Sequence, residues 1–174
     1  FLWLAVTVLG YLFFFGVGVF SVMCAGNALG ANDHRRIRDL ARMIIFIEVS
    51  LMILSGSLLF AFAPNMMGLF SKDPEVISLG ATVLRMVAVS EPFYGVFIII
   101  EGMLQGMGKT MVPFACNITG MWGIRIVGTF VCTTVLGLGL VSAWGCMIAH
   151  NMLLFILFVA YYRSGRWNPL EQQK

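Results

Sequence analysis

Long apolar stretches alternate with short charged ones along this chain of 174 residues. Residues 1–32 contain no charged side chain, whereas residues 33–42 contain four arginines. Because about 20 apolar residues cross the ~30 Å hydrocarbon core of a bilayer, such a stretch can span a membrane as a helix. Helices are favoured over strands since every backbone polar group must be satisfied inside the bilayer. The pattern predicts an all-α, polytopic transmembrane helix bundle with five spans, at about 2–26, 41–63, 77–104, 111–136 and 140–162.

The segments between these stretches are short and carry turn-forming residues. Asp73 followed by Pro74 is a typical start signal for a helix, since aspartate caps the first turn and proline fits its first position. Short connections place consecutive helices side by side and antiparallel. The predicted connections are residues 30–33, 64–65, 71–75, 106–110 and 137–139.

Basic residues are distributed very unequally between the two ends of the predicted bundle. One end has Lys72 in its connections; the other has Arg35, Arg36, Arg38, Arg42, Lys109, Arg163, Arg166 and Lys174. Because Lys and Arg are enriched in cytoplasmic loops, the second end is predicted to face the cytoplasm. This orientation predicts a multi-pass protein of the cell membrane with residues 163–174 as a cytoplasmic tail. Five spans then place the first residue outside, as expected for a piece of a longer protein that lacks an upstream helix.

Composition excludes several functional classes. Charged residues make up 11% of the chain and hydrophobic residues 60%, which is far from the balance of a soluble domain. The net charge of +3 is too small to predict a nucleic-acid partner. The four cysteines form no C-x-x-C pair, and no G-x-S-x-G or H-E-x-x-H motif occurs. We therefore expect neither an enzyme nor a bound cofactor, although a purely structural scaffold stays open as an alternative.

Several charged or titratable residues fall within the predicted spans, among them Glu48, Arg85, Glu91, Glu101, Arg125 and His150. A charge at mid-bilayer costs about 2.5–3.5 kcal/mol on insertion scales, so such residues usually face the bundle interior or water. Glu48, Glu101 and Arg85 lie toward helix ends, from which they can reach the interface. Glu91, Arg125 and His150 lie near the middle of their helices and are the better candidates for function.

Glu91 precedes Pro92, which deletes a backbone hydrogen bond and frees the carbonyl of Ala88. A carboxylate beside a broken helix inside a membrane can form a cation or proton site. The alternative interpretation is a buried pair of Glu91 with Arg125 that only locks two helices together. His150, next to Asn151, is interpreted as a packed, hydrogen-bonded histidine rather than a proton carrier.

Several segments, in order, resemble those of the MATE (multidrug and toxic compound extrusion) family. The resemblance covers nearly the whole chain, and its specificity comes from the order and spacing of motifs that are individually weak. The matching segments are residues 26–31 (G-N-x-L-G-A), 70–76 (F-x-x-D-x-x-V), 102–113 (G-x-L-Q-G-x-G-x-T-x-x-P), 117–125 (N-x-x-G-x-W-x-x-R), 137–139 with Trp144, and 164–167 (S-G-R-W).

The resemblance implies five spans of a six-helix lobe, here the C-terminal lobe, whose partner would be the N-terminal lobe of the same chain. It further implies efflux of cationic or amphipathic small molecules, coupled to entry of H⁺ or Na⁺. Family members with a coupling acid in this third helix carry it near Tyr94, three residues after Glu91. The candidates for cation coupling or substrate binding are Glu91, Tyr94, Glu101, Asn117 and Arg125. A flippase for lipid-linked oligosaccharides, from the same superfamily, is the alternative function.

Overall fold

The computed structural model describes residues 19–20, 22–31 and 34–167, and this part of the chain is helical without strands. Helix α1 comprises residues 22–30, and it is followed by four long helices. These are α2 (His34–Gly68), α3 (Pro74–Gly106), α4 (Met111–Val135) and α5 (Leu140–Arg163). All four are long and apolar enough to cross a membrane, which confirms the predicted all-α transmembrane class. Most of the predicted first span, 2–26, lies outside the described residues.

Helix α2 is longer at both ends than the span 41–63 that the apolar pattern predicts. It starts at His34, so the arginine-rich segment is helical rather than a loop, and it runs past Pro64 to Gly68. Arginine is a good helix former, which explains the early start. Proline removes only one hydrogen bond, here to the carbonyl of Phe60, and the helix continues for one more turn.

Helix α3 begins and ends at residues whose chemistry predicts its bounds. The side chain of Asp73 accepts a hydrogen bond of 2.9 Å from the backbone N–H of Glu75, and Pro74 occupies the first turn. This confirms the predicted cap. At the other end Gly108 adopts a φ of +77°, which favours glycine because other residues are strained there. The N–H of Lys109 then bonds to the carbonyl of Leu104 at 2.9 Å and closes the turn into α4.

The bundle is centred on α3, which packs along α2 on one side and along α5 on the other. Aromatic pairs join α3 to α5: Phe93 meets Phe155 edge-to-face at 5.2 Å, and Phe97 stacks on Phe158 at 6.0 Å. Toward the arginine-rich end, α1 joins the core through small residues that permit close approach. The buried core there contains Ala25, Ala28, Ile37, Ala41, Ile44, Phe97, Ile99, Leu104, Leu154, Phe158 and Trp167.

Helix α4 is the least regular of the long helices. Its α-helical parts, Met111–Gly120 and Val127–Phe130, alternate with two π-helical parts, Met121–Ile126 and Val131–Val135. A π turn holds more residues than an α turn, so it shifts every following side chain around the helix axis. The faces of α4 therefore cannot be assigned from a spacing of 3.6 residues per turn.

Candidate functional site

Two glycines bring α2 and α3 into close contact. A methyl group at Gly56 would lie 2.8 Å from the carbonyl oxygen of Ala88, which is too close for any real side chain. A methyl group at Gly95 would lie 2.9 Å from Cγ of Met52. Glycine is therefore required at Gly56, where the obstacle is a backbone atom, and small residues allow such an approach in membrane helix pairs. At Gly95 the obstacle is the side chain of Met52, which would have to shift. This interface contains two carboxylates.

The first carboxylate is Glu91, and its partner is a hydroxyl group on the neighbouring helix. Ser55 of α2 donates a hydrogen bond of 2.9 Å to Oε2 of Glu91, whose side chain is half-buried. Pro92 leaves the carbonyl of Ala88 without its usual helical donor, and this carbonyl faces α2 at Gly56. A carboxylate and a carbonyl oxygen that lacks its usual helical donor thus lie at the same level of the α2–α3 interface.

The second carboxylate is Glu48, which is buried between helices rather than close to the membrane surface as the sequence predicts. The side chain is 1% exposed, and its Oε2 has no hydrogen-bond partner among the described residues. It lies against Gly95, where a methyl group would come within 3.1 Å of its Cγ. The sequence predicts that Glu48 lies toward a helix end and can reach the membrane–water interface. Because α2 begins at His34, Glu48 instead lies about 21 Å along the helix from its start.

The spacing of residues along α2 does indicate where Glu48 lies, but only when it is known which helices pack together. Glu48 and Ser55 are two turns apart and so share one face of α2. Glu91 and Gly95 share one face of α3 in the same way. Antiparallel packing of these faces sets Ser55 opposite Glu91 and Glu48 opposite Gly95.

Two of the predicted site residues, Glu101 and Asn117, contact each other. The amide Nδ2 of Asn117 in α4 donates a bond of 2.9 Å to Oε1 of Glu101 in α3. The amide of Gln105 donates to the same oxygen at 3.2 Å. Glu101 is therefore a carboxylate whose hydrogen bonds fasten the start of α4 to the end of α3.

Arg125 is not near the carboxylates of the α2–α3 interface. It is exposed in the π-helical segment Met121–Ile126, which packs on α5 and, within the described part of the chain, makes no close backbone approach to α3. The alternative of a Glu91–Arg125 lock is therefore not what these residues form. The shift that the π turn introduces explains why sequence spacing misplaces this arginine.

The two remaining residues occupy different surroundings. Tyr94 is 38% exposed and meets Phe97 edge-to-face at 5.1 Å. His150 is buried between α5 and α4, where a methyl group at Gly120 would lie 2.7 Å from its Nδ1. This agrees with the interpretation of His150 as a packed residue, but its buried Nδ1 has no hydrogen-bond partner among the described residues, so the expected hydrogen bond is not seen at that atom.

Comparisons with known proteins agree with this arrangement of helices. The profile of the MatE family matches residues 2–131. The "Probable multidrug resistance protein NorM" of Thermotoga maritima is 24% identical over 153 residues, 88% of this chain and 33% of that protein. "Multidrug and toxin extrusion protein 1" of Homo sapiens is 25% identical over 158 residues, 91% of this chain and 28% of that protein. The chain thus spans about a third of the length of these curated relatives.

A solved structure shares the fold. It is described as the "Inward-facing conformation of a multidrug resistance MATE family transporter of the MOP superfamily", and it superposes with a TM-score of 0.80 at 19% identity. The superposition covers 97% of this chain and 39% of the other. At this identity the likeness establishes the arrangement of the helices and not the chemistry of the site.

Proposed function

Because the chain belongs to the MatE family, we propose that it forms part of a secondary active transporter that exports cationic or amphipathic small molecules in exchange for H⁺ or Na⁺. The relatives named as multidrug resistance and multidrug extrusion proteins support this proposal. The basic end of the bundle supports an orientation with the C-terminus in the cytoplasm. A second lobe would complete the substrate cavity in such a protein.

The hydrogen bonding of Glu91 carries the proposal. Its carboxylate lies in a membrane-spanning helix and accepts one bond from an uncharged hydroxyl group, that of Ser55. A carboxylate can accept about four hydrogen bonds, so capacity for a proton or a cation is left over. Glu101 differs, because it accepts hydrogen bonds from the two amides of Asn117 and Gln105. Glu48, buried one turn away along the same interface, is the second acidic group.

Ion binding at Glu91 can drive transport only if it favours one conformation over the other. The neutral carboxyl group costs less to expose to lipid than the carboxylate does. Loading with H⁺ or Na⁺ would therefore favour a conformation in which α3 moves against α2, and release would reverse it. Helix α3 continues through Pro92, but the backbone hydrogen bond that this proline deletes gives the helix a point at which such a movement can be absorbed.

The other candidates have supporting roles in this proposal. Glu101 and Asn117 hold the start of α4 on α3, so they position the wall of the cavity. Tyr94, which is 38% exposed, is proposed to contact a cationic or aromatic substrate through a cation–π or stacking interaction. Arg125, exposed on α4, is proposed to face the substrate cavity rather than the α2–α3 interface.

Ion-driven efflux from proteoliposomes that contain the full-length protein, with both lobes, tests the proposal. Glu91→Gln keeps the shape and the bond to Ser55 but removes the charge, so it should lower efflux of a fluorescent cationic dye at least tenfold under an imposed H⁺ or Na⁺ gradient. Glu75→Gln is the matched control, because Glu75 is an exposed carboxylate in the first turn of the same helix. The ion whose gradient supports efflux identifies the coupling ion.

Two outcomes would overturn the assignment. Full gradient-driven efflux by a folded Glu91→Gln protein would reject Glu91 as the coupling group. Translocation of a lipid-linked pyrophosphate sugar by the same vesicles, without dye efflux, would favour the flippase alternative instead.

A further inference from the structure

An arginine-lined pocket lies at the end of the bundle that is farthest from Lys72. It has a volume of about 570 Å³ and opens between the first turns of α2 and the turn that follows α5. Arginines of both helices line it, together with apolar and aromatic residues. The residues that matter here are Arg38, Arg42 and Arg163 for the polar part, and Phe46, Tyr162 and Trp167 for the apolar part.

The turn after α5 is held in place by several contacts, so one wall of the pocket is already formed. Trp167 is 4% exposed and stacks on Tyr162 with a ring separation of 4.8 Å. The carbonyl of Arg166 accepts hydrogen bonds from the ammonium group of Lys109 and the hydroxyl of Tyr161. Gly165 permits the turn with a φ of +73°. A wall that is ordered before binding lowers the entropy cost of taking up a ligand.

The face of α2 that lines the pocket changes from charged to apolar along its length. Arg38, Arg42 and Phe46 follow one another at intervals of one helical turn, so they form a single stripe. Phe46 is 74% exposed, although it is one of the largest apolar side chains at this end. The stripe therefore offers cations near the helix start and apolar surface one turn deeper.

We propose that this pocket binds the headgroup of an anionic phospholipid from the leaflet at the arginine-rich end. Guanidinium groups bind phosphate with directed, charge-assisted hydrogen bonds, and basic pockets between transmembrane helices suit such headgroups. The acyl chains would lie along Phe46 and its apolar neighbours on α2. The cationic molecules of the proposed efflux reaction would be repelled here, and neither Glu48 nor Glu91 lines the pocket. The proposal needs membrane-spanning helices but does not depend on the transported substrate.

Native mass spectrometry of the full-length protein tests the proposal. Phosphatidylglycerol and phosphatidylcholine with identical acyl chains are compared as added lipids. The double variant Arg42→Gln with Arg163→Gln should lower phosphatidylglycerol affinity roughly 25-fold, at about fivefold for each arginine near the membrane surface. Binding of phosphatidylcholine should change by less than about twofold, since its headgroup has no net charge.

The matched control removes the same charge outside the pocket. Arg35 is exposed on α2 without lining the pocket, and Arg85 lies on α3 over the ring of Phe60. Arg35→Gln with Arg85→Gln should change phosphatidylglycerol affinity by less than about threefold, as expected for a general charge effect alone. Thermal unfolding of each variant establishes that it is folded before lipid binding is compared.

A soluble competitor distinguishes a lipid from a free phosphate compound. Glycerophosphoglycerol, which has the headgroup without acyl chains, should fail to displace phosphatidylglycerol at millimolar concentration because it cannot use the apolar stripe. Displacement by this compound would mean a site for soluble phosphates and would overturn the lipid assignment. Equal losses of phosphatidylglycerol affinity in the pocket variant and the control variant would show that the lipid does not bind in this pocket.

Discussion

Helices α2 and α3 pack closely along their length, whereas α4 beyond its start exposes most of its surface. Hydroxyl groups of all three helices bond to a carbonyl of their own helix, as Ser57 does on α2 and Thr82 on α3. Ser55 of α2 donates across the interface to Glu91, and two glycines bring the backbones together. On α4, Thr119 donates to the carbonyl of Ala115 at 2.8 Å, and Thr133 donates to that of Thr129 at 2.7 Å. Such bonds within one helix remove the need for a partner on a neighbour.

This contrast explains where acidic groups can be placed in the bundle. A carboxylate is expensive in lipid, so it is tolerated where a second helix shields it. Glu48 and Glu91 lie in the closely packed α2–α3 interface, and Glu101 lies where α3 meets the start of α4. The central and final parts of α4 are widely exposed and carry Arg125, whose long side chain can reach polar surroundings from an apolar helix.

The largest expected difference between the two regions is in how the free energy of unfolding responds to one added methyl group. Gly56→Ala should destabilise the protein by about 2–3 kcal/mol, because the new methyl group would lie 2.8 Å from the backbone carbonyl of Ala88. Gly123→Ala on α4 is the control, since no atom lies within 4 Å of that position. It should be neutral or stabilise by up to about 1 kcal/mol through helix propensity. Thermal unfolding in detergent measures both, and equal effects would contradict the close packing of α2 on α3.

A smaller difference in stability is expected between removal of Glu101, which has hydrogen-bond partners, and removal of Glu48, whose Oε2 has none among the described residues. Glu101→Met should cost about 1–3 kcal/mol, because the amides of Asn117 and Gln105 lose their acceptor. Glu48→Met should be neutral or stabilise by about 1 kcal/mol, since its buried Oε2 has no partner to lose among the described residues. Denaturation of the two variants under one condition provides the measurement. A larger loss for Glu48→Met than for Glu101→Met would show that Glu48 has a partner.

Oxidation of the native cysteines tests the position of α4 with the least disturbance. The sulfur atoms of Cys132 in α4 and Cys146 in α5 are 3.7 Å apart, so a small movement brings them to bonding distance. Copper phenanthroline with oxygen should form a disulfide between them by removing both thiol protons and two electrons. Peptide mapping should identify the Cys132–Cys146 link, and Cys132→Ser should prevent it. Labelling of both cysteines by a thiol reagent after oxidation would contradict the α4–α5 packing.

Much of the architecture could be predicted from local features of the sequence. Apolar length predicts the spans because the thickness of the bilayer sets it. The cap of α3 follows from Asp73 and Pro74, since both act on their own turn. The resemblance to the MATE family rests on ordered motifs and agrees with the family comparison. Helix ends were less accurate, because arginines extend α2 at one end and Pro64 does not terminate it at the other.

The candidate site could be predicted only in part, because it depends on which helical faces meet. Glu91 is recognisable from its charge and from Pro92, and Glu101 and Asn117 do contact one another. The sequence does not indicate that Ser55 rather than Arg125 lies beside Glu91. Two π-helical segments also alter the facing of α4, and they leave no periodic signal.

The sequence by itself thus determined the helical class, the approximate places of the four long helices that the structure describes, and the basic end of the bundle. These properties depend on the hydrophobicity and charge of neighbouring residues, which act locally. The tertiary structure alone decided that Glu48 is buried, that Glu91 bonds to Ser55, and that arginines from α2 and α5 share one pocket. Each of these depends on contact between residues far apart in the chain, where packing at Gly56 and Gly95 selects the facing surfaces.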